Sequence, residues 1–237
     1  MIENELANAP GVGAEPQASF LMILPPGWVR LPVRDEHADE LQVLIEGIVA
    51  ETLPSSLPRD STEPWRGELR KRFRGVVREA QQAGATAVYF PTQAVNGLVV
   101  PASLIESEIE DDGLESADMF LESLMQDADS SATQETVDGA PAVRTVSART
   151  RLQVDGDWPE VTNRQVVYTI RVPHREGRWI LMSFSAVSSD SVSALLSDAL
   201  VLLFDALMTT FRWTDVPGSD YSALELRLQN INSHGYE

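Results

Sequence analysis

The sequence predicts an α+β domain in which an antiparallel sheet packs against helices. From about residue 85 the chain changes to short runs rich in β-branched and aromatic residues, several of which alternate apolar and polar positions. Two amphipathic helical patterns precede this region, and a third closes it. No Pro/Gly/Ser-rich linker divides the 237 residues into two apolar halves, so we expect one domain.

The N-terminal part of that domain begins with two predicted strands. Phe20–Leu24 is an apolar run that ends at Pro-Pro-Gly, and Trp28–Val33 alternates, so we expect two strands joined by a turn. Residues 1–19 contain Pro, Gly and small or polar residues that cannot bury enough apolar surface to become ordered. The sequence therefore predicts a flexible arm over 1–19, a domain over 20–213 and a polar tail over 214–237.

Two helices follow these strands. Asp35 is a suitable N-cap for the first, which we expect to end before Pro54. The second begins at Ser61 or Thr62 and ends at Gly84, a residue that favours a left-handed helix terminus. Its predicted core positions are Trp65, Leu69, Phe73, Val76, Ala80 and Ala83.

The remainder is predicted to contain the sheet, a short helix at Ser116–Met125 and a closing helix at Val192–Phe211. In the closing helix, Asp198 and Asp205 lie seven residues apart and are expected to point outward, which favours a helix with one buried face over a membrane span. The predicted strands are Ala87–Phe90, Leu98–Glu108, Ala142–Val154, Val161–Val172 and Trp179–Val187. The predicted buried positions of the closing helix are Leu196, Leu200, Leu203, Leu207 and Phe211.

Composition excludes several kinds of function. The chain has no cysteine, so thiolate catalysis, zinc–thiolate sites and disulfides are absent. A net charge of −18 repels phosphate backbones and anionic lipid, so we expect neither nucleic acid nor membrane as a partner. The first residues include Glu3 and Glu5 where a secretory signal carries Lys or Arg, which predicts a cytoplasmic protein.

Motifs for catalysis or cofactor binding are not found in the sequence. His37, His174 and His234 are too far apart to place two imidazoles on one metal at helical spacing. There is no Gly-x-Ser-x-Gly sequence and no glycine-rich phosphate loop after a predicted strand. We therefore expect a protein that is not an enzyme and that has no cofactor or metal.

An acidic run closes one predicted strand. Glu106, Glu108 and Glu110 share one face if the strand extends that far, and their oxygens are of the type that binds Ca²⁺ or Mg²⁺. The run lacks the spacing of a twelve-residue calcium loop, so the favoured interpretation is a solvated acidic face.

A basic surface on the second helix is the first candidate for partner binding. It holds a third of the 18 Lys and Arg residues in an otherwise acidic chain, and it would attract an acidic partner. The alternative is that these residues pair with Glu63, Glu68, Glu79 and the acidic loops of the protein itself. The basic residues are Arg66, Arg70, Lys71, Arg72, Arg74 and Arg78.

Trp158 is the second candidate for partner binding. It lies in the turn-forming sequence Asp-Gly-Asp-Trp-Pro, where a large ring is difficult to bury. The interpretation is a contact with a partner, and the alternative is an anchor in the core or at its rim.

Three local sequences carry a family resemblance: the opening Leu24-Pro25-Pro26-Gly27-Trp28, the turn Val137–Arg144, and the closing helix that leads into Phe211-Arg212-Trp213. With the element order, they resemble the PsbP-like fold of photosystem accessory proteins, a Ran-binding import factor and mycobacterial LpqN-type lipoproteins. The sequence also looks similar to uncharacterised actinobacterial proteins of this type. The resemblance implies an α/β sandwich that binds proteins or hydrophobic ligands and has no shared catalytic centre.

These observations predict a non-catalytic binding or accessory module whose partner is an unknown protein. The alternative is a protein that binds a small apolar ligand between the sheet and the helices, in a cavity of about 300 Å³ or more. An enzyme of unknown class is the third hypothesis.

Overall fold

The computed structural model describes most of the predicted domain. Residues 1–17 of the predicted arm, residues 215–237 of the predicted tail, and Trp158 lie outside the described residues. The described residues are 18–52, 59–94, 97, 99–110, 117–126, 131–151 and 161–214.

The described residues form four α-helices and nine strands, which confirms the α+β fold class. The helices are α1 (Ala38–Thr52), α2 (Arg59–Gln82), α3 (Ala117–Gln126) and α4 (Ser191–Met208). The strands are β1 (Phe20–Leu21), β2 (Trp28–Pro32), β3 (Ala85–Pro91), β4 (Ala102–Glu110), β5 (Ser131–Val137), β6 (Ala140–Arg151), β7 (Val161–Arg171), β8 (Arg178–Ser188) and β9 (Arg212–Trp213).

Seven strands form one antiparallel sheet in the order β2-β3-β4-β8-β7-β6-β5. The five strands predicted after residue 85 are all present, with ends shifted by a few residues. Strand β5 was not predicted. Its sequence is mostly polar and it buries only Val137, because it lies at the edge of the sheet and most of its side chains are exposed.

The two N-terminal strands, predicted to be joined by a turn, do not pair with each other. Strand β2 pairs with β3, whereas β1 pairs with β9 in a separate two-stranded sheet. The ring of Phe20 stacks on Phe211 at a centroid distance of 4.5 Å, which holds β1 against the residues that follow α4. The Pro-Pro-Gly sequence therefore connects two sheets, and a φ of +79° at Gly27 allows the turn.

The helices cover both faces of the seven-stranded sheet. Helix α4 packs on the face that we call the α4 face, where Phe204 stacks on Phe184 with ring centroids 5.0 Å apart. Helices α1 and α2 pack on the opposite face around Val88, and α3 packs there around Trp179. Because each of α1, α2 and α4 buries one side against the sheet, each has an opposite side that faces away from it.

The buried sides of α2 and α4 differ from the predicted ones by a small rotation. In α2, Trp65 and Ala83 are exposed and the buried valine is Val77 rather than Val76. In α4, Phe204 is fully buried and Leu203 is partly exposed. The apolar run of α4 is nearly continuous, and in α2 the candidates Val76 and Val77 are adjacent, so the sequence allows either rotation and contact with the sheet selects one.

The rotation of α2 can be tested with two adjacent substitutions of the same type. Val77 is 7% exposed and Val76 is 48% exposed. We expect Val77→Ala to lower the free energy of unfolding by about 1–3 kcal/mol through lost burial and a cavity. Val76→Ala should change it by less than about 0.5 kcal/mol, and urea denaturation measures both. Equal losses in the two variants would contradict this rotation.

Candidate functional site

Arg70 and Arg72 of the predicted basic surface form ion pairs within the protein. The Nε of Arg70 donates to both Glu46 carboxylate oxygens at 3.0 Å, and its Nη1 donates to Glu63 at 2.9 Å. These bonds turn Arg70 toward α1 instead of into solvent. Arg72 donates to Glu68 at 3.0 Å. For these two arginines, pairing with glutamates of the protein itself is therefore the correct alternative to binding an acidic partner.

The other members of the basic surface have different environments. Arg66 is half-buried, whereas Lys71, Arg74 and Arg78 are exposed on α2. The predicted stripe of Arg66, Arg70 and Arg74 is thus interrupted, because Arg70 is bound to α1. Partner binding stays a prediction for the exposed members.

Glu106 on β4 is buried, contrary to the prediction of a solvated acidic face. It is 7% exposed and accepts hydrogen bonds from three neighbours. The Tyr89 hydroxyl donates to it at 2.5 Å and the Thr86 hydroxyl at 2.7 Å. The Nη2 of Arg30 lies 3.3 Å from both carboxylate oxygens. We call Glu106, Arg30, Tyr89 and Thr86 the Glu106 network.

The next two acidic residues of β4 also have arginine partners. The Arg34 Nη2 donates to Glu108 at 3.1 Å. The Nη2 of Arg178 lies 2.7 Å from a Glu110 oxygen. Arg178 reaches Glu110 because β8 runs antiparallel beside β4 and places the two residues opposite each other. The sequence pattern did not provide the register of the sheet. That register places arginines beside these glutamates, so the face predicted to be solvated carries a row of ion pairs.

The Glu106 network also sets the protonation of its phenol. Burial raises the pKa of Tyr89, and the negative charge of Glu106 raises it further. Burial disfavours the charged guanidinium of Arg30, but Glu106 and Tyr89 outweigh that effect, so the pKa of Arg30 is raised. The network therefore contains a cation, an anion and a neutral phenol, and Glu106 acts as an acceptor with both oxygens occupied.

A cavity of about 370 Å³ lies next to this network. It opens between the segment 18–24 and the α4 face of the sheet, and we call it the β1 groove. One wall is apolar and consists of Phe20, Leu21, Met22 and Leu24. The polar side consists of Ser19, Arg30, Tyr89 and Glu106.

Both aspartates of α4 pair with arginines of the sheet, so the prediction that they point outward was wrong for Asp205, whereas the Asp198 side chain is still 51% exposed. Asp205 accepts two hydrogen bonds from Arg144, each 2.8 Å long, and a third from the Tyr168 hydroxyl at 2.9 Å. Asp198 pairs with Arg164 on β7. Burial and the bond to Asp205 raise the pKa of Tyr168. The charges of α4 are thus compensated by the sheet beneath it.

The opposite side of α4 is apolar and exposed. Leu195 is 71% exposed and Leu202 is 69% exposed, and neither has a helix packed over it among the described residues. We call this surface the α4 outer face, and it consists of Val192, Leu195, Ala199, Leu202 and Ala206, which recur at intervals of three and four residues. By length and composition alone, α4 could cross a membrane, a property that core helices of soluble proteins share.

Comparison with known proteins gives little to add to these observations. No protein family and no curated protein matches the chain. A solved structure of a Bacteroides thetaiotaomicron protein is 8% identical with a TM-score of 0.33, and the match covers 56% of this chain and 39% of that one. The chain thus matches less than half of that protein, and we base no argument on the similarity.

The two buried tyrosines predict loss of stability in alkali. In the unfolded chain both phenols ionise near pH 10, whereas in the folded chain their raised pKa values keep them protonated. The folded chain then binds more protons, so the stabilisation is complete below about pH 10 and is lost as the pH rises further. We expect Tyr89 to account for a loss of about 1 kcal/mol at about pH 11.

Urea denaturation at about pH 8 and about pH 11 measures this loss. We expect the variant Tyr89→Phe with Tyr168→Phe to lose much less stability over the same interval. Lysine side chains ordinarily titrate in the same pH range as tyrosines. Because Lys71 is the only lysine in the sequence, lysines contribute little to the difference between the two pH values. An equal loss in the variant and the parent protein would show that these phenols are not responsible.

Proposed function

We propose that this protein is a non-catalytic protein-binding module and that the α4 outer face is its interface. The observation that carries the proposal is an apolar helix face, two heptads long, that lies exposed in a strongly acidic protein. Large exposed apolar patches are uncommon in monomeric proteins and mark interaction sites. The spacing of three and four residues is the one with which helices pair along a seam.

The charges of α4 support this assignment. Asp198 and Asp205 are its only charged residues, and Arg164 and Arg144 hold both of them toward the sheet. The outer face therefore contains no charge that would favour water over an apolar partner. A membrane partner is less favoured, since a net charge of −18 repels anionic lipid.

The partner that fits this face best is a second copy of the chain. A second copy supplies an uncharged helix face of the same length and the same spacing, so apolar rows on the two helices match under two-fold symmetry. Each helix of 18 residues is about 27 Å long. Two such faces give an interface near the lower limit of about 1,000 Å², so we expect a reversible dimer.

The Glu106 network supports a non-catalytic function. A general base needs a carboxylate oxygen that is free to take a proton from a substrate. Both oxygens of Glu106 already accept hydrogen bonds from Arg30. In addition, one oxygen accepts from the Thr86 hydroxyl and the other from the Tyr89 hydroxyl. The resemblance to the PsbP-like fold, a location in the cytoplasm and a role for the exposed arginines of α2 stay predictions beside this proposal.

The experiment measures the oligomeric state with sedimentation velocity over a range of protein concentrations. We expect the parent protein to shift from monomer to dimer as its concentration rises. The variant Leu195→Glu with Leu202→Glu should stay monomeric, because it places charges in the seam. The matched control is Val43→Glu with Val76→Glu, which adds the same charge at exposed valines of α1 and α2 and should still dimerise.

Three outcomes would contradict the proposal: a parent protein that is monomeric at every concentration, a leucine variant that dimerises like the parent, and a control that loses dimerisation equally. Binding of the monomer to neutral lipid vesicles, lost in the leucine variant, would assign the α4 outer face to a membrane surface instead.

A further inference from the structure

We propose that the β1 groove is a second binding site, which takes a small apolar molecule with a neutral carbonyl group that accepts a hydrogen bond from Arg30. The site lies on the α4 face of the sheet and is separate from the α4 outer face. Its cavity of about 370 Å³ is within the range of about 300–1,000 Å³ that small-molecule sites occupy.

The walls of the groove specify an apolar body for the ligand. Phe20, Leu21, Met22 and Leu24 line one side, and three of them also pack against the main core. Phe20 is held in place by its stack on Phe211. The wall is therefore positioned before any ligand arrives, which reduces the ordering cost of binding.

The three network residues that line the groove, Arg30, Tyr89 and Glu106, offer a donor and no free acceptor. Glu106 accepts hydrogen bonds with both oxygens, and the Tyr89 hydroxyl accepts from the Arg30 Nε at 3.0 Å while donating to Glu106. Arg30 uses its Nε and Nη2 in these bonds, and its Nη1 has no partner among the described residues. The group available to a ligand is therefore the Nη1 amino group, which requires an acceptor on the ligand.

The charge balance favours a neutral acceptor over a carboxylate. The positive charge of Arg30 is already compensated by Glu106, so a bound carboxylate would add an uncompensated negative charge beside a buried carboxylate. The rest of the chain is strongly acidic and would repel the anion as well. A ketone, ester or amide oxygen accepts the same hydrogen bond without this repulsion.

Binding of three related molecules tests this chemistry: methyl octanoate as the neutral carbonyl compound, octanoate as the anion and octane as the compound without an acceptor. Nuclear magnetic resonance follows the Met22 methyl group and the Arg30 Nε–H as each is added. We expect saturable binding of the ester that shifts both signals. Octanoate and octane should bind more weakly, and octane should shift only the methyl signal.

The substitution Arg30→Met keeps an apolar stem and removes the donor. We expect it to weaken ester binding about tenfold and to leave octane binding unchanged. Arg149→Met is the matched control, since Arg149 is an exposed residue of β6 and does not line the groove. It should bind the ester like the parent protein.

A second variant keeps the proposal testable if Arg30→Met does not fold. Leu21 lines the groove and is partly exposed, so Leu21→Trp fills part of the cavity without disturbing the main core. We expect it to weaken the binding of both ester and octane. The proposal is wrong if the ester does not saturate, if octanoate binds more tightly than the ester, or if both Arg30→Met and Leu21→Trp bind the ester like the parent.

Discussion

The neutralisation of buried carboxylates is the constraint on which this fold depends. The chain carries 36 acidic and 18 basic residues, yet it places Glu106 and Glu108 on the inner part of a sheet. A buried carboxylate that lacks a compensating charge costs several kcal/mol. Arginines from neighbouring strands remove that cost, so strand register and charge balance are satisfied together. A shift of β2 by one residue would turn Arg30 to the other face and leave Glu106 without its cation.

The same constraint orients α4. Its two aspartates lie seven residues apart, and the sheet presents Arg164 and Arg144 to them. Rotation of the helix would break both pairs and would also remove Phe204 from Phe184. The exposure of Leu195 and Leu202 is therefore a consequence of where the acidic side of the helix must point. The apolar surface is therefore fixed by the ion pairs and core contacts that hold the helix on the sheet.

The sequence was sufficient for the fold class because periodicity reports which elements are amphipathic. It located all four helices and the strands with apolar alternation, and it missed β5, whose side chains are mostly exposed, and the two-residue strand β9. It could not give the pairing of β1 with β9, which depends on contacts between residues nearly 200 positions apart. The Glu106 network was missed for the same reason. The available signal that this carboxylate is buried was its position two residues after Leu104, on the same face of the strand as that apolar residue.

The segment from β1 to β2 connects the two proposed sites. It forms the apolar wall of the β1 groove, and it contacts the end of α4 through the Phe20–Phe211 stack and through a 3.0 Å hydrogen bond from the Ile23 N–H to the Thr210 hydroxyl. Two sites influence each other only if a ligand at one changes contacts that the other depends on. A ligand that leaves this segment in place leaves α4 unchanged, because the rest of the helix is held by the core and by its arginines. A ligand that displaces Phe20 would expose Phe211 and loosen the last turn of α4. The size of the ligand, rather than its affinity, therefore determines whether binding in the β1 groove affects the α4 outer face.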